Sequence, residues 1–271
     1  MPDRIWKVAI MIDGGFLLKR LPHIVPERFH SSPEAVARTT RTLCQRHIEK
    51  LAGVDRRWLD HVYRIFYYDA APFGGKAHHP LLNKQIDFSK TKEAKFREEL
   101  FEHLRRTRKF ALRLGKVSKE GDWAIRNTTL ARQLLGTRDR INSLPSETLS
   151  ETSQPLVLSE KTRSEGIRLQ KLWSEVKDDH VGLGLRQKGV DMRIGLDIAS
   201  ITLKKQADTI ILVSGDSNFV PAAKLARREG VDFVLDPLWQ KINPDLFEHI
   251  DGLRTVLRRD DEALALEAET E

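Results

Sequence analysis

Three aspartates follow stretches of sequence that are typical of buried strands. They are Asp13 after residues 7–12, Asp69 after residues 61–68, and Asp216 just after residues 209–213. In an open parallel sheet, ligands bind outside the carboxyl ends of the strands. We therefore expect a crevice lined by carboxylates at this edge. Taken singly, Asp13 before Gly14 also fits a turn, and Asp216 also fits a helix N-cap.

Two further aspartates lie on a predicted helix over residues 191–205. One face of this helix carries an apolar stripe, formed by Ile194, Ile198 and Ile201. Asp197 lies beside the stripe, where a carboxylate is costly unless it is paired, hydrogen-bonded or bound to a metal. We interpret it as a site residue, the alternative being a position on the exposed face. Asp191 begins the helix, where an acid also complements the helix dipole.

Such a set of carboxylates predicts a divalent cation. Several acids in one crevice repel each other, and their pKa values rise unless a cation neutralises them. Ligands that are all oxygen favour Mg²⁺ or Mn²⁺ over zinc or copper, and a thiolate zinc cluster is excluded because Cys44 is the only cysteine. Such a metal suits phosphodiester hydrolysis, in which it activates water and stabilises charge on the phosphate.

The elements that would position these residues alternate between strands and helices. Strands are predicted at residues 7–12, 61–68, 110–117, 209–213 and 231–235, and helices at 33–51, 91–107, 191–205 and 219–229. This order predicts an α/β domain with a central, mainly parallel sheet. Residues from about 118 to 180 interrupt the alternation, and we interpret them as an insertion or mobile loop. Residues 260–271 hold six acids and no Lys or Arg, which predicts a disordered tail.

The charge distribution indicates an anionic partner. The net charge is +7, and the chain without its acidic tail carries +13. Residues 95–140 hold thirteen Lys and Arg against six Asp and Glu, which suits RNA, DNA or a membrane surface, although solvated helix faces explain it equally well. Our candidates for RNA contacts are Arg105, Arg106 and Arg108 in this stretch, and Lys188 ahead of the acidic helix. Apolar residues 8–12 are too short for a signal sequence or a membrane span, so we expect a cytoplasmic protein with no membrane partner.

Three motifs together resemble the NYN domain. They are Ile12-Asp13-Gly14-Gly15, Lys188-Gly189-Val190-Asp191 leading to Leu196-Asp197, and Ser214-Gly215-Asp216-Ser217-Asn218-Phe219 followed by Pro221. The chain is similar to this family of the PIN-like nuclease superfamily, and within it to the bacterial LabA-related branch. The resemblance implies a PIN-like (Rossmann-like) three-layer fold over residues 1–259, with a Mg²⁺- or Mn²⁺-dependent ribonuclease site.

The resemblance also assigns roles to single residues. Asp13, Asp197 and Asp216 match the acidic metal ligands of the family, and Asp191 matches a frequent acid at the start of the helix. Two positions depart from the family pattern. Phe16 stands where Asn is frequent, and Asn218 stands where a second Asp is usual. The amide oxygen of Asn218 could still ligate a hard cation or orient a water, so we include it among the catalytic candidates.

The sequence thus predicts a metal-dependent ribonuclease, most plausibly an endonuclease, whose partner is RNA. Because Asn218 removes a carboxylate, a catalytically weak or inactive RNA-binding module on the same fold stays open as the alternative. A phosphohydrolase that acts on small phosphorylated metabolites is a more distant one. The chain could also form a homo-oligomer.

Overall fold

The computed structural model describes residues 6–53, 57–142 and 159–258. The acidic tail at 260–271, and residues 143–158 of the predicted insertion, lie outside the described residues. The chain forms two compact units. The first comprises residues 1–75, 88–118 and 187–271, and the second comprises residues 76–87 and 119–186. Within the described residues, none of the helices combines the length and the apolar character that crossing a membrane requires.

The strands form one large sheet and one hairpin. They are β1 (Val8–Asp13), β2 (Val62–Ala71), β3 (Lys76–His79), β4 (Lys84–Asp87), β5 (Phe110–Ile125), β6 (Val181–Lys188), β7 (Thr209–Val213), β8 (Asp232–Asp236) and β9 (Gly252–Leu253). The large sheet has the order β6-β5-β2-β1-β7-β8-β9. Its pairs β1–β2, β1–β7, β2–β5, β7–β8 and β8–β9 are all parallel. The prediction of a mainly parallel sheet is confirmed.

The described helices are α1 (Gly14–Arg20), α2 (Pro33–Ala52), α3 (Lys92–Arg106), α4 (Thr128–Leu135), α5 (Arg138–Asn142), α6 (Glu160–Ser174), α7 (Val190–Leu203), α8 (Val220–Arg228) and α9 (Pro244–Phe247). In the first unit they cover both faces of the sheet. On one face, side chains from α1, α2 and α3 pack on Ile10 and Ile12 of β1. On the other, side chains from α7 and α8 pack on Ala9 and Met11. Alternate residues of β1 therefore enter two cores, which gives the predicted three-layer α/β fold.

Two predicted strands are longer in the structure, and the structure contains elements that the sequence did not predict. β2 continues through Asp69 to Ala71, and β5 continues to Ile125. The sequence did not indicate α1, a short helix that begins with two glycines. It also missed β6, whose alternating glycines are unfavourable for strands.

The second unit combines the β3–β4 hairpin with the far part of β5, helices α4 to α6, and the first part of β6. The imidazole of His79, on β3, is buried against the ring of Trp123, with 4.5 Å between the ring centroids. The backbone N–H of Arg126 donates to the carbonyl of His180 at 2.8 Å, and its guanidinium donates to that of Leu183. Part of the segment that the sequence presented as an insertion or mobile loop is therefore regular secondary structure.

Candidate active site

Asp13 is the last residue of β1 and the N-cap of α1. Its Oδ1 accepts a hydrogen bond from the backbone N–H of Phe16 at 3.0 Å. Burial raises the pKa of Asp13 from 3.8 to about 6, against the lowering effect of the Phe16 hydrogen bond. The negative charges of Asp191 and Asp69 raise this pKa further, and Lys19 lowers it. Asp13 thus lies in an acidic environment in which a proton or a cation is favoured.

Asp191 and Asp216 belong to α7 and to the segment that follows β7. Asp191 lies in the first turn of α7, and Asp216 lies just beyond β7, which pairs directly with β1. Burial is the main cause of the raised pKa of Asp191, and the charge of Asp216 adds to it. The ends of β1 and β7 and the start of α7 therefore bring three carboxylates to the carboxyl edge of the sheet, where ligands bind in open parallel sheets.

These three carboxylates line one cavity of about 370 Å³. The other lining residues are Gly15, Phe16, Lys19, Gln187, Val190, Ser214, Gly215, Ser217 and Gln240. Lys19 supplies the cationic group of this lining, and hydroxyl and amide groups supply neutral hydrogen-bonding partners. The acids of this cavity suit a cation, and the ammonium group of Lys19 suits an anionic group bound beside that cation.

Two glycines permit the close packing around the cavity. A Cβ on Gly14 would overlap the ring of Tyr67, which is fully buried beneath it. A Cβ on Gly215 would lie 2.7 Å from the amide nitrogen of Gln240 and 2.9 Å from the ring of Phe16. Both motifs therefore need glycine for steric reasons.

Asp69 lies one residue beyond the β2 residue that pairs with Asp13, and it is fully buried. Its Oδ1 accepts from Arg97 at 2.5 Å, from the backbone N–H of Ala70 at 2.7 Å, and from Gln187 Nε2 at 3.2 Å. Burial raises the pKa of Asp69, and Arg97 is the strongest opposing influence. Asp69 therefore does not line the cavity, but it holds a side chain that does, namely Gln187.

Asp197 is not among the residues that line the cavity. Its Oδ2 accepts a hydrogen bond from the hydroxyl of Tyr68 at 2.9 Å and lies 3.1 Å from Nε of Arg113. The sequence argument placed Asp197 correctly beside the buried stripe of α7. Of the partners that the sequence argument left open for this carboxylate, β2 supplies a hydroxyl and β5 a guanidinium. The structure thus brings together Asp13, Asp191 and Asp216, without Asp197.

Asn218 supports Asp216 and does not line the cavity. Its backbone N–H donates to Oδ1 of Asp216 at 2.9 Å, and its side-chain Nδ2 donates to Oδ2 at 3.1 Å. The amide group, which the sequence led us to expect as a possible ligand, is thus turned toward Asp216 through its nitrogen.

The predicted RNA-binding residues are not at the cavity either. Arg105 and Arg106 lie in the last turn of α3, and Arg108 lies just before β5. Because β5 is parallel to β2, its start lies at the edge opposite the strand ends that carry the carboxylates. Lys188 is exposed and follows the cavity residue Gln187. Tyr67 and Tyr68, the aromatic residues that precede Asp69 on β2, are both fully buried and therefore unable to stack on bases.

Comparison with known proteins gives a family similarity for part of the chain. Residues 137–246 match the family model of the NYN domain. The match includes Asp191, Asp197 and Asp216, whereas Asp13 precedes it, and it does not distinguish the LabA-related branch from others. No curated protein matches the chain significantly. A solved structure of a protein of unknown function from Vibrio parahaemolyticus is similar at 14% identity, covering 96% of this chain and 97% of that one. Its TM-score is 0.40, too low for that likeness to carry any argument.

The donor set of the cavity fits a hard divalent cation, because it offers carboxylate, hydroxyl and amide oxygens. In the parts of the chain that the structure describes, no three Asp, Glu, His or Cys side chains are close enough together to hold one metal ion. Mg²⁺ commonly binds proteins through one or two carboxylates and keeps several waters. The cavity therefore fits a cation whose shell is completed by water and substrate, and not one enclosed by protein ligands.

Sequence reasoning missed five polar residues of the cavity, namely Lys19, Gln187, Ser214, Ser217 and Gln240. Lys19 lies on α1, and Gln187 lies near the end of β6, two elements that the sequence did not indicate. Ser214 and Ser217 were visible in the third motif, but nothing in their type separates a cavity residue from a turn residue. Gln240 follows β8 in a loop, where a lone glutamine carries no signal.

Proposed function

We propose that the protein is a metal-dependent ribonuclease that hydrolyses phosphodiester bonds at the cavity lined by Asp13, Asp191 and Asp216. The observation that carries the proposal is the convergence of these carboxylates on one cavity, with raised pKa values for Asp13 and Asp191. Acids that repel each other in one cavity cost stability unless a cation offsets their charge. The similarity of residues 137–246 to the NYN domain supports RNA as the substrate.

In this proposal one or two of the carboxylates of Asp13, Asp191 and Asp216 would hold Mg²⁺ or Mn²⁺ directly, and the remaining acid would act through water in the shell of the ion. When bound, the ion would supply an activated water and stabilise the charge that develops on the phosphate. Lys19 contributes a positive charge at the same cavity and offsets the charge of the phosphodiester. The amides of Gln187 and Gln240 and the hydroxyl of Ser217 orient the substrate by hydrogen bonding.

Several elements of the fold position the side chains of the cavity. β1 and β7 deliver Asp13 and Asp216 to adjacent strand ends, and α7 places Asp191 opposite them. Asn218 holds both oxygens of Asp216 through its backbone and side-chain N–H groups. Asp69, itself neutralised by Arg97, holds Gln187. These supporting contacts fix the side chains before substrate arrives, which is how a site stabilises a transition state without reorganising.

A non-catalytic RNA-binding module is the second candidate. The observation that favours it is Asn218, which places an amide against Asp216 at a position where the NYN domain usually has a second carboxylate. Asp13, Asp191 and Asp216 would then be the remnant of a lost site. The two candidates differ in one measurable property, which is whether the protein turns over RNA when a divalent cation is added.

The test is cleavage of an end-labelled RNA by protein stripped with EDTA and then given Mg²⁺ or Mn²⁺. We expect cleavage only after metal is added, and a loss of about 100-fold or more in Asp13→Asn, Asp191→Asn and Asp216→Asn, because each substitution keeps the shape but removes a negative charge that attracts the ion, directly or through water. Asp197→Asn is the matched control and should cut at nearly the wild-type rate. Wild-type protein that binds RNA without cutting it in either metal would establish the binding module instead.

We further propose that the protein acts in the cytoplasm. The single cysteine, Cys44, is a buried free thiol, which suits a reducing compartment. A homo-oligomer stays a prediction of the sequence, to be checked by the mass of the purified protein in solution.

A further inference from the structure

Basic side chains gather at the edge of the sheet where β1, β2 and β5 begin. Lys7 precedes β1, Arg64 lies near the start of β2, and Arg108 and Lys109 precede β5. We call these four residues the basic edge. Because the three strands are parallel, their starts lie together, opposite the ends that carry the carboxylates.

The backbone fixes the positions of these side chains. A register shift between Val8 and Ala9 pairs Ala9 with Arg64, whose side chain is exposed. Lys109 has a φ of 70°, in the left-handed region that non-glycine residues seldom adopt. Its ammonium group donates to the carbonyl of Val62 at 2.8 Å, and that of Lys7 donates to the carbonyl of Asp60 at 2.6 Å. The two ammonium groups are therefore anchored beside neighbouring strands.

Among the described residues, the four cations of the basic edge face the acids Asp60 and Asp208, and Oδ2 of Asp208 accepts from the backbone N–H of Lys7 at 2.8 Å. Partial burial lowers the pKa of Lys109, and the charges of Lys7, Arg108 and Arg64 lower it further. Asp60 opposes them and is the acid that acts on Lys109 most directly. Arg105 and Arg106 end α3 two or three residues before Arg108, and Arg105 pairs with Glu102. An anion bound here would relieve the mutual repulsion of the basic side chains.

This site is too far from the cavity to serve the same phosphate. Arg64 and Asp69 lie on the same strand, and five residues at about 3.3 Å each separate their Cα atoms by roughly 17 Å. Stacked nucleotides advance about 3.4 Å per phosphate along one strand, so this distance corresponds to at least about five phosphates. An RNA strand that follows the protein surface between the two edges takes a longer path and therefore needs more nucleotides.

We propose that the basic edge is a second anchoring site for the sugar–phosphate backbone of RNA, occupied by nucleotides remote from the bond at the cavity. The inference rests on the proposed function, since it assigns RNA as the ligand. It makes the protein selective for RNA longer than about five nucleotides. It also gives Arg108 the role in RNA binding that the sequence suggested, but at a site distant from the chemistry.

The test compares binding of a labelled single-stranded RNA of about 20 nucleotides with one of about four, in EDTA so that neither is cut. The variant is Arg64→Gln/Arg108→Gln, which changes two exposed side chains and leaves the hydrogen-bonded lysines intact. Each phosphate contact contributes about 0.7 log units of affinity per log unit of salt. We expect the variant to reduce the salt slope for the long RNA by about 1.4 and its affinity at moderate salt by about tenfold. The short RNA cannot span both sites, so its affinity for the wild type should already be lower than that of the long RNA.

The matched control is Lys161→Gln/Arg163→Gln, which removes two exposed cations from α6 in the second unit. An equal loss of salt slope in this control, or no loss in the Arg64/Arg108 variant, would overturn the inference. The outcome is separable from that of the proposed function. A protein that never cuts RNA but shows the expected slopes refutes the nuclease and keeps the basic edge. A protein that cuts RNA with unaltered slopes in the variant keeps the nuclease and refutes the basic edge.

Discussion

The side-chain nitrogen of Gln187 donates to Oδ1 of Asp69 at 3.2 Å, which turns the Gln187 oxygen toward Gly15. A Cβ on Gly15 would lie 3.4 Å from that oxygen and 3.5 Å from Oδ1 of Asp13. The amide oxygen is therefore presented at the same wall of the cavity as Asp13. Asp69 can do this because its charge is already paired with Arg97.

The first prediction concerns this amide. Gln187→Ala should lower RNA cleavage by about 10- to 100-fold, the usual effect of removing a group that orients a metal site or substrate. Stability should change little, because Gln187 is largely exposed. Steady-state cleavage and thermal unfolding measure the two effects. Gln170→Ala, at an exposed position of α6, is the control, and equal activity in the two variants would remove Gln187 from the site.

The second prediction concerns the pH dependence of stability without metal. Burial raises the pKa of Asp13 from 3.8 to about 6, so the folded protein holds this proton to a higher pH than the unfolded chain does. The favourable contribution of the protonated group is complete below the unfolded pKa and is lost as pH rises through the folded one. A shift of about two units corresponds to roughly 3 kcal/mol in total.

Asp13→Asn keeps the hydrogen-bond acceptor for Phe16 but does not titrate. Between about pH 5 and pH 7.5, the unfolding free energy of the wild type should therefore fall by about 1 to 1.5 kcal/mol relative to the variant. Urea unfolding in EDTA at the two pH values measures this difference. A difference that stays constant with pH would contradict the burial of the Asp13 charge.

The third prediction concerns Asp197. Its partners are Arg113 and Tyr68, and the side chain of Arg113 is 46% exposed, so the ion pair is partly screened by solvent. Asp197→Asn should destabilise the fold by about 1 kcal/mol and leave the cleavage rate within about threefold of the wild type. Denaturant unfolding and the nuclease assay test both statements. A loss of cleavage as large as in Asp191→Asn would return Asp197 to the site.

Asp197 also shows which features of the site can be predicted from the sequence and which cannot. The strand ends that carry Asp13 and Asp216 were predictable, because apolar runs that stop at an acid place that acid at a known edge of a parallel sheet. The partner of Asp197 was not, because Arg113 reaches it from β5 across 84 positions of sequence. Whether a half-buried carboxylate meets a metal or a guanidinium depends on that long-range packing. The choice between Asp191 and Asp197 could therefore not be made from α7 alone.

The same limit applies to the basic residues. Sequence identified a basic stretch that includes Arg105, Arg106 and Arg108, but not the direction in which it runs relative to the carboxylates. The parallel pairing of β2 with β5 decides this, since it places the start of β5 at the edge away from Asp13. The direction of a strand depends on the topology of the whole sheet, so it cannot be predicted from the number of charged residues in one segment.

The last prediction concerns Asn218, which donates to both oxygens of Asp216. Asn218→Ala removes the side-chain donor but keeps the backbone one. We expect cleavage to fall by about tenfold, with little change in the Mg²⁺ concentration that gives half-maximal rate, because the ligands themselves remain. Asn218→Asp places a second carboxylate against Asp216, and the like charge raises the pKa of the pair. The pH at which cleavage reaches half its maximum should therefore rise in this variant.

Cleavage measured against pH at saturating Mg²⁺, and against Mg²⁺ at fixed pH, separates these effects for the wild type and both variants. If Asn218→Asp lowers the Mg²⁺ requirement without moving the pH profile, position 218 is itself a ligand position and the observed contact with Asp216 is not its role. If the wild type is inert and only Asn218→Asp cuts RNA, the native protein is the RNA-binding module. A tenfold loss in the Ala variant together with a raised pH midpoint in the Asp variant assigns Asn218 to holding Asp216, because only that role couples the amide to the protonation of its neighbour.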